Sequence, residues 1–356
     1  MSLKQLIAAG TKVWSDSIDP PVIKEAPGKG ITGATSNPII IADILKKGGF
    51  DEKMSELIDQ GLSDADIAWW LDDYLVKEAQ KAFMPVWERS KGNDGYVSFE
   101  LDPLLEDATK PIPQGEAVKK YIELGRKWSG IAGGQPLKNR MIKVPATEAG
   151  MAALETLAAD GVTINVTLCF SERQYKISRD AIWRGAQRRK NGLEHFKSVY
   201  SIFISRVDVY TQKNNPDLGK PAQGLVGILN AKRMWRMNQE FWKDKKLPLQ
   251  QEIIFASTGK KLDWQGEDYY VEAMAGSDIQ TNPPATNDWV ESHDKAYTRQ
   301  VDKLPAKEVL DEIDRKVDVN KMEKVLMEEG TKKFADPQKA LEQQIGQKRT
   351  VLTGAK

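Results

Sequence analysis

Hydrophobic and polar positions along the chain alternate between two kinds of segment. Short runs of apolar and β-branched residues are separated by longer stretches with the 3.6-residue periodicity of amphipathic helices. The short runs predict strands, and the repeated order of strand and helix predicts a parallel sheet with crossover helices. The predicted strands cover residues 12–15, 31–37, 96–101, 140–145, 162–168, 199–205 and 252–257, with an eighth within 276–284.

Capping signals mark where two of the helices begin. Ser63 is followed three residues later by Asp66, ahead of a helical pattern that runs to residue 90. Ser171 begins a similar signal before a second helix. Residues 213–224 predict a loop because they are rich in Gly, Pro and Asn, and residues 317–347 predict one or two terminal helices.

The side-chain pattern of the strands distinguishes an open sheet from a closed barrel. Strands of an open parallel sheet are buried on both faces and read as continuous apolar runs. In the third strand the apolar residues instead occupy alternate positions and share one face: Val97, Phe99 and Leu101. The fifth strand shows the same alternation, with one apolar face: Ile164, Val166 and Leu168. Polar side chains at the strand ends favour an α/β fold of the (β/α)8 TIM-barrel type, with additional helices.

Composition and charge limit the classes of function. The chain of 356 residues has 52 Lys and Arg against 51 Asp and Glu, so it lacks the basic surplus of nucleic-acid-binding proteins. It has no run of roughly 18 apolar residues that could cross a membrane, and no signal-peptide pattern. A single cysteine, Cys169, and two histidines argue against a disulfide framework or a metal site. We predict one cytoplasmic domain over residues 1–356 without metal, with Cys169 packed in the core.

Lys143 is the first candidate for chemistry because it lies in an apolar strand, RMIKVP (140–145). Alternation places Ile142 and Val144 towards the helices, and Met141 and Lys143 towards the barrel interior. Burial disfavours the charged form of a lysine, and the neutral amine is a nucleophile towards carbonyls. The alternative is a structural lysine paired with a carboxylate, and the lysine by itself favours that alternative.

Two acidic residues near other strand ends favour a catalytic lysine. Asp16 directly follows the first strand, and Glu100 lies late in the third strand on its polar face. Schiff-base chemistry on a ketose needs one group that assists loss of water and another that takes a hydroxyl proton during carbon–carbon cleavage. Two carboxylates near one amine fit these roles. The sequence leaves open whether they are instead only counter-ions of Lys143.

A phosphate site is the third element. Arg206 directly follows the sixth predicted strand, and the segment STGKK (257–261) begins at the end of the seventh. The planar fork of arginine fits phosphate oxygens, and glycine-containing loops after the late strands commonly bind phosphate in TIM barrels. Together they predict a phosphate group at the barrel mouth.

One glycine pattern resembles a nucleotide-binding motif but lies in the wrong structural context. Residues 28–33 (GKGITG) match the dinucleotide motif G-x-G-x-x-G, but that motif is meaningful only between a strand and a helix. Pro27 precedes it and a strand-like segment overlaps its end. The pattern therefore predicts a turn into the second strand.

Six segments resemble transaldolases, in the same order, within a resemblance that runs from about residue 10 to about residue 345. They are GITGATSNPII (30–40), VSFELDP (97–103), MIKVPATEAGMAAL (141–154), GVTINVTLCFS (161–171), SIFISRVD (201–208) and IIFASTGKK (253–261). The resemblance implies a cofactor-free enzyme of the pentose phosphate pathway. It would transfer a dihydroxyacetone unit from sedoheptulose 7-phosphate or fructose 6-phosphate to glyceraldehyde 3-phosphate or erythrose 4-phosphate.

The resemblance also implies roles for individual residues. Lys143 would form the Schiff base, and Asp16, with Asp19 as a competitor, would deprotonate the C4 hydroxyl. Glu100 would assist dehydration through a water that Thr167 also holds. The residues implied to contact the dihydroxyacetone part are Thr35, Ser36, Asn37, Asn165, Ser201 and Phe203. Those implied to bind phosphate are Arg206, Ser257 and Lys261, in a chain that has no second arginine within 255–261.

Two other functions stay open at this point. Related fructose-6-phosphate aldolases release free dihydroxyacetone and typically have glutamine in place of Glu100 and tyrosine in place of Phe203. Both positions here resemble transaldolases of the longer bacterial subgroup. A non-catalytic barrel that binds sugar phosphates would not need Lys143, Asp16 and Glu100 together. The sequence does not distinguish a monomer from a homodimer.

Overall fold

The computed structural model describes residues 2–354, so residues 1 and 355–356 of the predicted domain lie outside this part. Its strands are β1 Lys12–Ser15, β2 Gly33–Thr35, β3 Val97–Glu100, β4 Arg140–Pro145, β5 Ile164–Cys169, β6 Ser198–Phe203, β7 Glu252–Ala256 and β8 Ile279–Asn282. They close in sequence order into a parallel barrel, in which β8 pairs with β1. The predicted (β/α)8 barrel is confirmed.

Helices surround the barrel and continue beyond the last strand. They are α1 Ser2–Ala8, α2 Pro20–Glu25, α3 Pro38–Lys46, α4 Asp51–Asp59, α5 Asp64–Arg89, α6 Gln114–Trp128, α7 Glu148–Ala159, α8 Glu172–Ala186, α9 Ser205–Asn214, α10 Val226–Trp242, α11 Tyr269–Ala273, α12 Pro284–Ser292, α13 Lys307–Lys316 and α14 Val319–Gly354. Short 3₁₀ turns occupy Ala26–Lys29 and Pro103–Glu106. Within residues 2–354, no helix combines the length and the apolar character that a membrane crossing requires.

The predicted capping signals fix the first turns of α5 and α8. Ser63 Oγ accepts a hydrogen bond from the backbone N–H of Asp66 at 3.1 Å, and the Asp66 carboxylate accepts one from the Ser63 backbone. This reciprocal pair satisfies two donors that a helix start leaves free. Ser171 Oγ likewise accepts from the Gln174 backbone at 3.1 Å. These caps set where both helices begin.

Several predicted boundaries differ from those of the structure, and three of them differ for local reasons. The second strand was predicted to reach residue 37 but ends at residue 35, because Asn37 caps α3 by accepting from two backbone N–H groups of its first turn. The sixth strand was predicted to end at residue 205, but Ser205 already begins α9. That helix runs to Asn214, so the predicted loop of residues 213–224 loses its first two residues to it.

The alternation of side chains produces two buried layers. Ile142 and Val144 pack into the large apolar core, as predicted. Met141 belongs to a second apolar cluster, the inner cluster, which joins strand residues of the barrel to residues of α9, α10, α13 and α14. Leu168 is the exception, because it joins the inner cluster although it was predicted on the outer face. Its φ of 54° and the register shift between Val166 and Cys169 turn its side chain over. At the carboxyl end of β5, the side chain of Leu168 therefore lies on the same face as the polar residues of that strand.

Two smaller predictions are confirmed. The glycine pattern of residues 28–33 spans the end of a 3₁₀ turn, with Gly30 at φ 82°, and leads into β2. A Cβ on Gly33 would meet the Trp14 ring at 2.6 Å, so the close approach of β1 and β2 requires glycine there. Cys169 is fully buried in the outer core.

Candidate active site

A pocket of about 260 Å³ opens at the carboxyl ends of the strands. Parallel barrels place their catalytic groups at this end. The residues that line the pocket on the β1 to β5 side are Asp16, Thr35, Asn37, Ile39, Ile40, Lys143 and Thr167. Those on the β6 to β8 side and on α14 are Ser201, Phe203, Arg206, Ile254, Ala256, Ser257, Gly259, Lys261, Thr281, Pro283 and Phe334.

Lys143 stands on β4 and extends into the barrel beside β3. The two strands pair so that Lys143 and Glu100 are register partners, which brings their side chains together. Lys143 Nζ donates to Glu100 Oε2 at 3.1 Å and to the backbone oxygen of Ser36 at 3.3 Å. Both side chains are buried. The amine is thus held by two oxygens while it borders the open pocket.

Lys143 differs from the other buried lysines of residues 2–354. Lys197 lies before β6 at the opposite end of the barrel, where Glu252 and the backbone oxygen of Gln250 bind its ammonium. Lys232 on α10 donates to two backbone oxygens at 2.8 Å, and burial lowers its pKa to about 8. Neither residue lines the mouth pocket. Among the buried lysines of residues 2–354, only Lys143 therefore combines burial with a position at the mouth pocket.

Glu100 lies behind Lys143 rather than in the mouth pocket. Burial raises the pKa of its carboxyl, and the nearby Lys143 ammonium opposes that rise. A carboxylate with a raised pKa takes up a proton more readily than an exposed one. Glu100 is therefore suited to accept a proton from the amine it contacts.

Asp16 is the carboxylate that reaches the mouth pocket. It is half-buried, and Thr35 Oγ1 donates to its Oδ1 at 2.9 Å. Asp19, the alternative to Asp16 as the base for the C4 hydroxyl, is instead buried at the start of α2 and forms an ion pair with Lys47. Asp19 does not line the pocket, so the geometry favours Asp16 for contact with a ligand.

Four of the polar residues implied to contact dihydroxyacetone lie either at the pocket surface or directly beneath it. Thr35, Asn37 and Ser201 line the pocket, with Asn37 using its amide oxygen to cap α3. Asn165 is one layer deeper, donating to Ser98 Oγ at 2.9 Å and accepting from Ser201 Oγ at 2.8 Å.

Ser36 and Thr167 are the remaining polar residues of the predicted site. Ser36 turns its hydroxyl to the backbone of Ser98 and offers Lys143 its carbonyl. Thr167 lines the pocket with a buried hydroxyl that has no hydrogen-bond partner among residues 2–354. A buried, unpaired hydroxyl that borders a pocket is suited to hold a ligand or a water.

Arg206 provides the positive charge on the far side of the pocket. It is the second residue of α9, so its guanidinium lies near the positive end of a helix dipole. The ring of Phe203 stacks on it, with 4.9 Å between the guanidinium carbon and the ring centre. Its Nη1 is buried without a hydrogen-bond partner among the described residues. Buried donors normally have an acceptor, so this geometry fits an anionic ligand group.

The loop after β7 adds further groups beside Arg206. Ser257 has a φ of 57°, and its Oγ lies 2.7 Å from Ser205 Oγ at the start of α9. Lys261 is exposed and lines the same side of the pocket. Residues 205, 206, 257 and 261 together form a polar, cationic corner that suits a phosphate.

Sequence reasoning missed several residues near the site, and three of them bear on its chemistry. Thr281 on β8 lines the pocket with an unpartnered hydroxyl, in the strand whose bounds the sequence defined least. Phe334 of α14 covers the pocket from a segment near the end of the chain. Asp72 on α5 lines a small cavity behind Glu100. Only Phe334 carried a sequence signal, because it lies in a short segment, KFAD (333–336), that itself resembles the family.

Asp72 predicts a pH dependence of stability. Burial raises its pKa to about 7, against the opposing charge of Arg140, and its Oδ1 has no hydrogen-bond partner. The folded state therefore binds this proton more tightly than the unfolded state does. The resulting stability is complete below pH 4 and is lost as pH rises through 7. Asp72→Asn, which stays neutral, should be more stable than the parent by about 4 kcal/mol above pH 7.

Urea unfolding of both proteins between pH 4 and 8 measures this difference. The expected result is a free-energy gap in favour of Asp72→Asn that widens with pH and levels off above pH 7. A gap that stays constant across the range would show that the Asp72 pKa is not raised in the folded protein.

Comparison with known proteins gives a family match. The chain matches the Transaldolase/Fructose-6-phosphate aldolase family over residues 13–345. It is 31% identical to the transaldolase of Mycobacterium bovis (strain BCG / Pasteur 1173P2), over 94% of this chain and 93% of the relative. It is also 31% identical to that of Mycolicibacterium paratuberculosis, over 94% of each chain. Identity to that of Thermobifida fusca is 30%, over 82% of each.

Proposed function

The chain belongs to the transaldolase family, and we propose that it transfers a dihydroxyacetone unit between sugar phosphates through a Schiff base on Lys143. Its function is that of a transaldolase, since relatives of that name match nearly its whole length. The single observation that supports Lys143 most strongly is its buried amine. This amine contacts Glu100 at 3.1 Å and also borders a pocket with Asp16 and Arg206.

The first half of the reaction begins when the ketose carbonyl meets the neutral amine. Glu100, with its raised pKa, takes the proton from Lys143 and then gives a proton to the carbinolamine hydroxyl, which leaves as water. Asp16 next takes the proton of the C4 hydroxyl as the C3–C4 bond breaks. The aldose phosphate departs, and the cleaved bond's electron pair remains as an enamine on Lys143.

The second half reverses these steps on a different aldehyde. The enamine carbon attacks the acceptor carbonyl, and Asp16 returns a proton to the new hydroxyl. Water then adds to the iminium with help from Glu100, and the lengthened ketose phosphate leaves the restored lysine. Arg206, Ser257 and Lys261 bind the phosphate of donor and acceptor, which holds the reacting carbon of each sugar near Lys143.

Release of free dihydroxyacetone is the alternative outcome for the same enamine. Release requires protonation of the enamine carbon, and the apolar ring of Phe203 lies in the pocket where a phenol could orient a proton donor. Glu100 also stands where related aldolases have glutamine. Both positions favour transfer over release.

An assay with two readouts tests the proposed activity. With fructose 6-phosphate as donor and erythrose 4-phosphate as acceptor, we expect sedoheptulose 7-phosphate and little free dihydroxyacetone. Free dihydroxyacetone without transfer would show an aldolase. Binding of fructose 6-phosphate with neither product would show a barrel that only binds sugar phosphates.

Glu100→Gln tests the proton-transfer role of that carboxylate. Glutamine keeps the size and can still accept a hydrogen bond, but it cannot exchange a proton, so transfer should slow by about 10²-fold or more. Free dihydroxyacetone should become a measurable share of the product. Glu106→Gln is the matched control, since burial also raises the pKa of Glu106 but its partners are Thr147 and Tyr121, outside the pocket. Equal transfer rates in the parent and Glu100→Gln would remove Glu100 from the mechanism.

A further inference from the structure

The terminal helix α14 places an aromatic ring over the two cations of the site. The centre of the Phe334 ring lies 5.6 Å from Lys143 Nζ and 5.8 Å from the guanidinium carbon of Arg206. Phe334 is 5% exposed and lines the mouth pocket. One side chain from the end of the chain therefore contacts both the proposed nucleophile and the proposed phosphate ligand.

Contacts on either side of Phe334 hold the helix in place. Glu323, near the start of α14, accepts from Ser171 and forms an ion pair with Arg173 at 2.6 Å. Lys339, on the other side, forms an ion pair with Asp107 at 2.7 Å. These contacts tie α14 to the segments that follow β3 and β5. The ring is thus part of a fixed wall.

A glycine one turn before Phe334 allows the helix to approach the barrel closely. A Cβ at Gly330 would meet the Leu168 side chain at 3.3 Å, which is tighter than ordinary van der Waals contact. Leu168 takes its inward position through the left-handed backbone described above. The irregular end of β5 and Gly330 together bring Phe334 down onto the pocket.

Ordinary core packing is the simpler explanation of a buried phenylalanine. Phe334 does belong to the inner apolar cluster. Other buried rings also have a cation nearby, as Phe99 has Arg140 at 5.0 Å, but Arg140 does not line the mouth pocket. Both cations near Phe334 do line it. Packing accounts for its burial and leaves this placement unexplained.

We propose that Phe334 is a positioning residue that shields the covalent intermediate from water and holds Lys143 and Arg206 in their relative places. The proposal rests on the Schiff-base function proposed above. The face of the ring favours a cation, so it stabilises the iminium formed on Lys143 and the guanidinium that binds phosphate. Its bulk keeps water from the enamine until an aldehyde arrives.

Admission of water would change the product. The enamine carbon would take a proton from water, which gives the iminium of dihydroxyacetone and a hydroxide. Hydroxide would then add to the iminium carbon, and collapse of the carbinolamine would release dihydroxyacetone and the free amine. The ratio of free dihydroxyacetone to transfer product therefore reports how well the wall excludes water.

Two variants of Phe334 separate its bulk from its aromatic face. Phe334→Ala removes the bulk that excludes water, and we expect the ratio of free dihydroxyacetone to transfer product to rise about tenfold, which corresponds to about 1.4 kcal/mol between the two outcomes. Phe334→Leu keeps an apolar wall but removes the ring. It should leave that ratio close to the parent value while the KM for fructose 6-phosphate rises several-fold.

Leu326→Ala is the matched control. Leu326 is buried on the same helix and in the same cluster but does not line the pocket. It should lower the melting temperature without changing the product ratio or KM. An unchanged ratio in Phe334→Ala, or an equal rise in Leu326→Ala, would overturn the proposal. If Phe334→Ala does not fold, an unchanged KM in Phe334→Leu would overturn it instead. Failure of the parent to transfer at all would count against the proposed function and not against Phe334 alone.

Discussion

Lys143→Met should abolish transfer, by about 10⁴-fold or more, while the barrel remains folded. Methionine is unbranched and fills the channel that the lysine stem occupies, but it has no nucleophile. Loss of the ammonium leaves Glu100 buried beside an apolar group. Because burial already raises the pKa of Glu100, this carboxyl takes up a proton and leaves no bare charge in the barrel. Steady-state transfer assays and thermal unfolding measure the two effects.

Two further lysine variants complete this test. Lys143→Arg should be as inactive as Lys143→Met, because a guanidinium stays protonated and cannot form an imine. Lys197→Met removes an equally buried lysine whose charge is paired with Glu252 at the far end of the barrel. It should lose stability and keep its turnover number. Residual turnover near the parent level in Lys143→Met would show that the amine is a structural counter-ion.

Arg206→Met should lower kcat/KM for fructose 6-phosphate by about 10²- to 10³-fold, the range expected when a buried charged hydrogen-bond partner is removed. The guanidinium has an unpartnered buried nitrogen, and burial lowers its pKa, so a bound phosphate would stabilise its charged form. Fructose, which lacks the phosphate, should react with both proteins at the same low efficiency. The ratio of kcat/KM for fructose 6-phosphate to that for fructose would therefore fall by the same factor.

The outcome with fructose decides how this result is interpreted. If Arg206→Met loses equal efficiency with both sugars, Arg206 acts on the reacting carbons or on the fold, and the phosphate corner lies elsewhere. Lys261→Ala offers a graded comparison, because Lys261 is exposed and water screens its charge. It should cost about tenfold or less with fructose 6-phosphate.

The sequence predicted the parts of this site that depend on strand alternation. The two-residue period of β3 and β4 places Glu100 and Lys143 inside the barrel, and the structure has them there. Their direct contact depends on the register of the two strands, which side-chain alternation does not determine. Leu168 was predicted on the wrong face because one left-handed residue and a register shift interrupt the period.

The sequence could not place groups that reach the site from distant helices. Asp72 belongs to a long helix with charged residues on much of its surface, and only the packed fold shows that its carboxyl faces the cavity behind Glu100. Phe334 lies 191 positions after Lys143 in the sequence. Contact between them arises from how α14 docks, to which Gly330, Glu323 and Lys339 contribute. Neither local propensity nor periodicity encodes such contacts.

Trapping of the covalent intermediate tests the Schiff base most directly. The protein would be reduced with borohydride in the presence of fructose 6-phosphate, digested with trypsin and mapped by mass spectrometry. A modified Lys143 resists cleavage, so we expect one peptide of residues 141–173 that carries a reduced dihydroxyacetone unit, in place of the peptide 144–173. An adduct on another lysine, or active enzyme that yields no adduct, would contradict a Schiff base on Lys143.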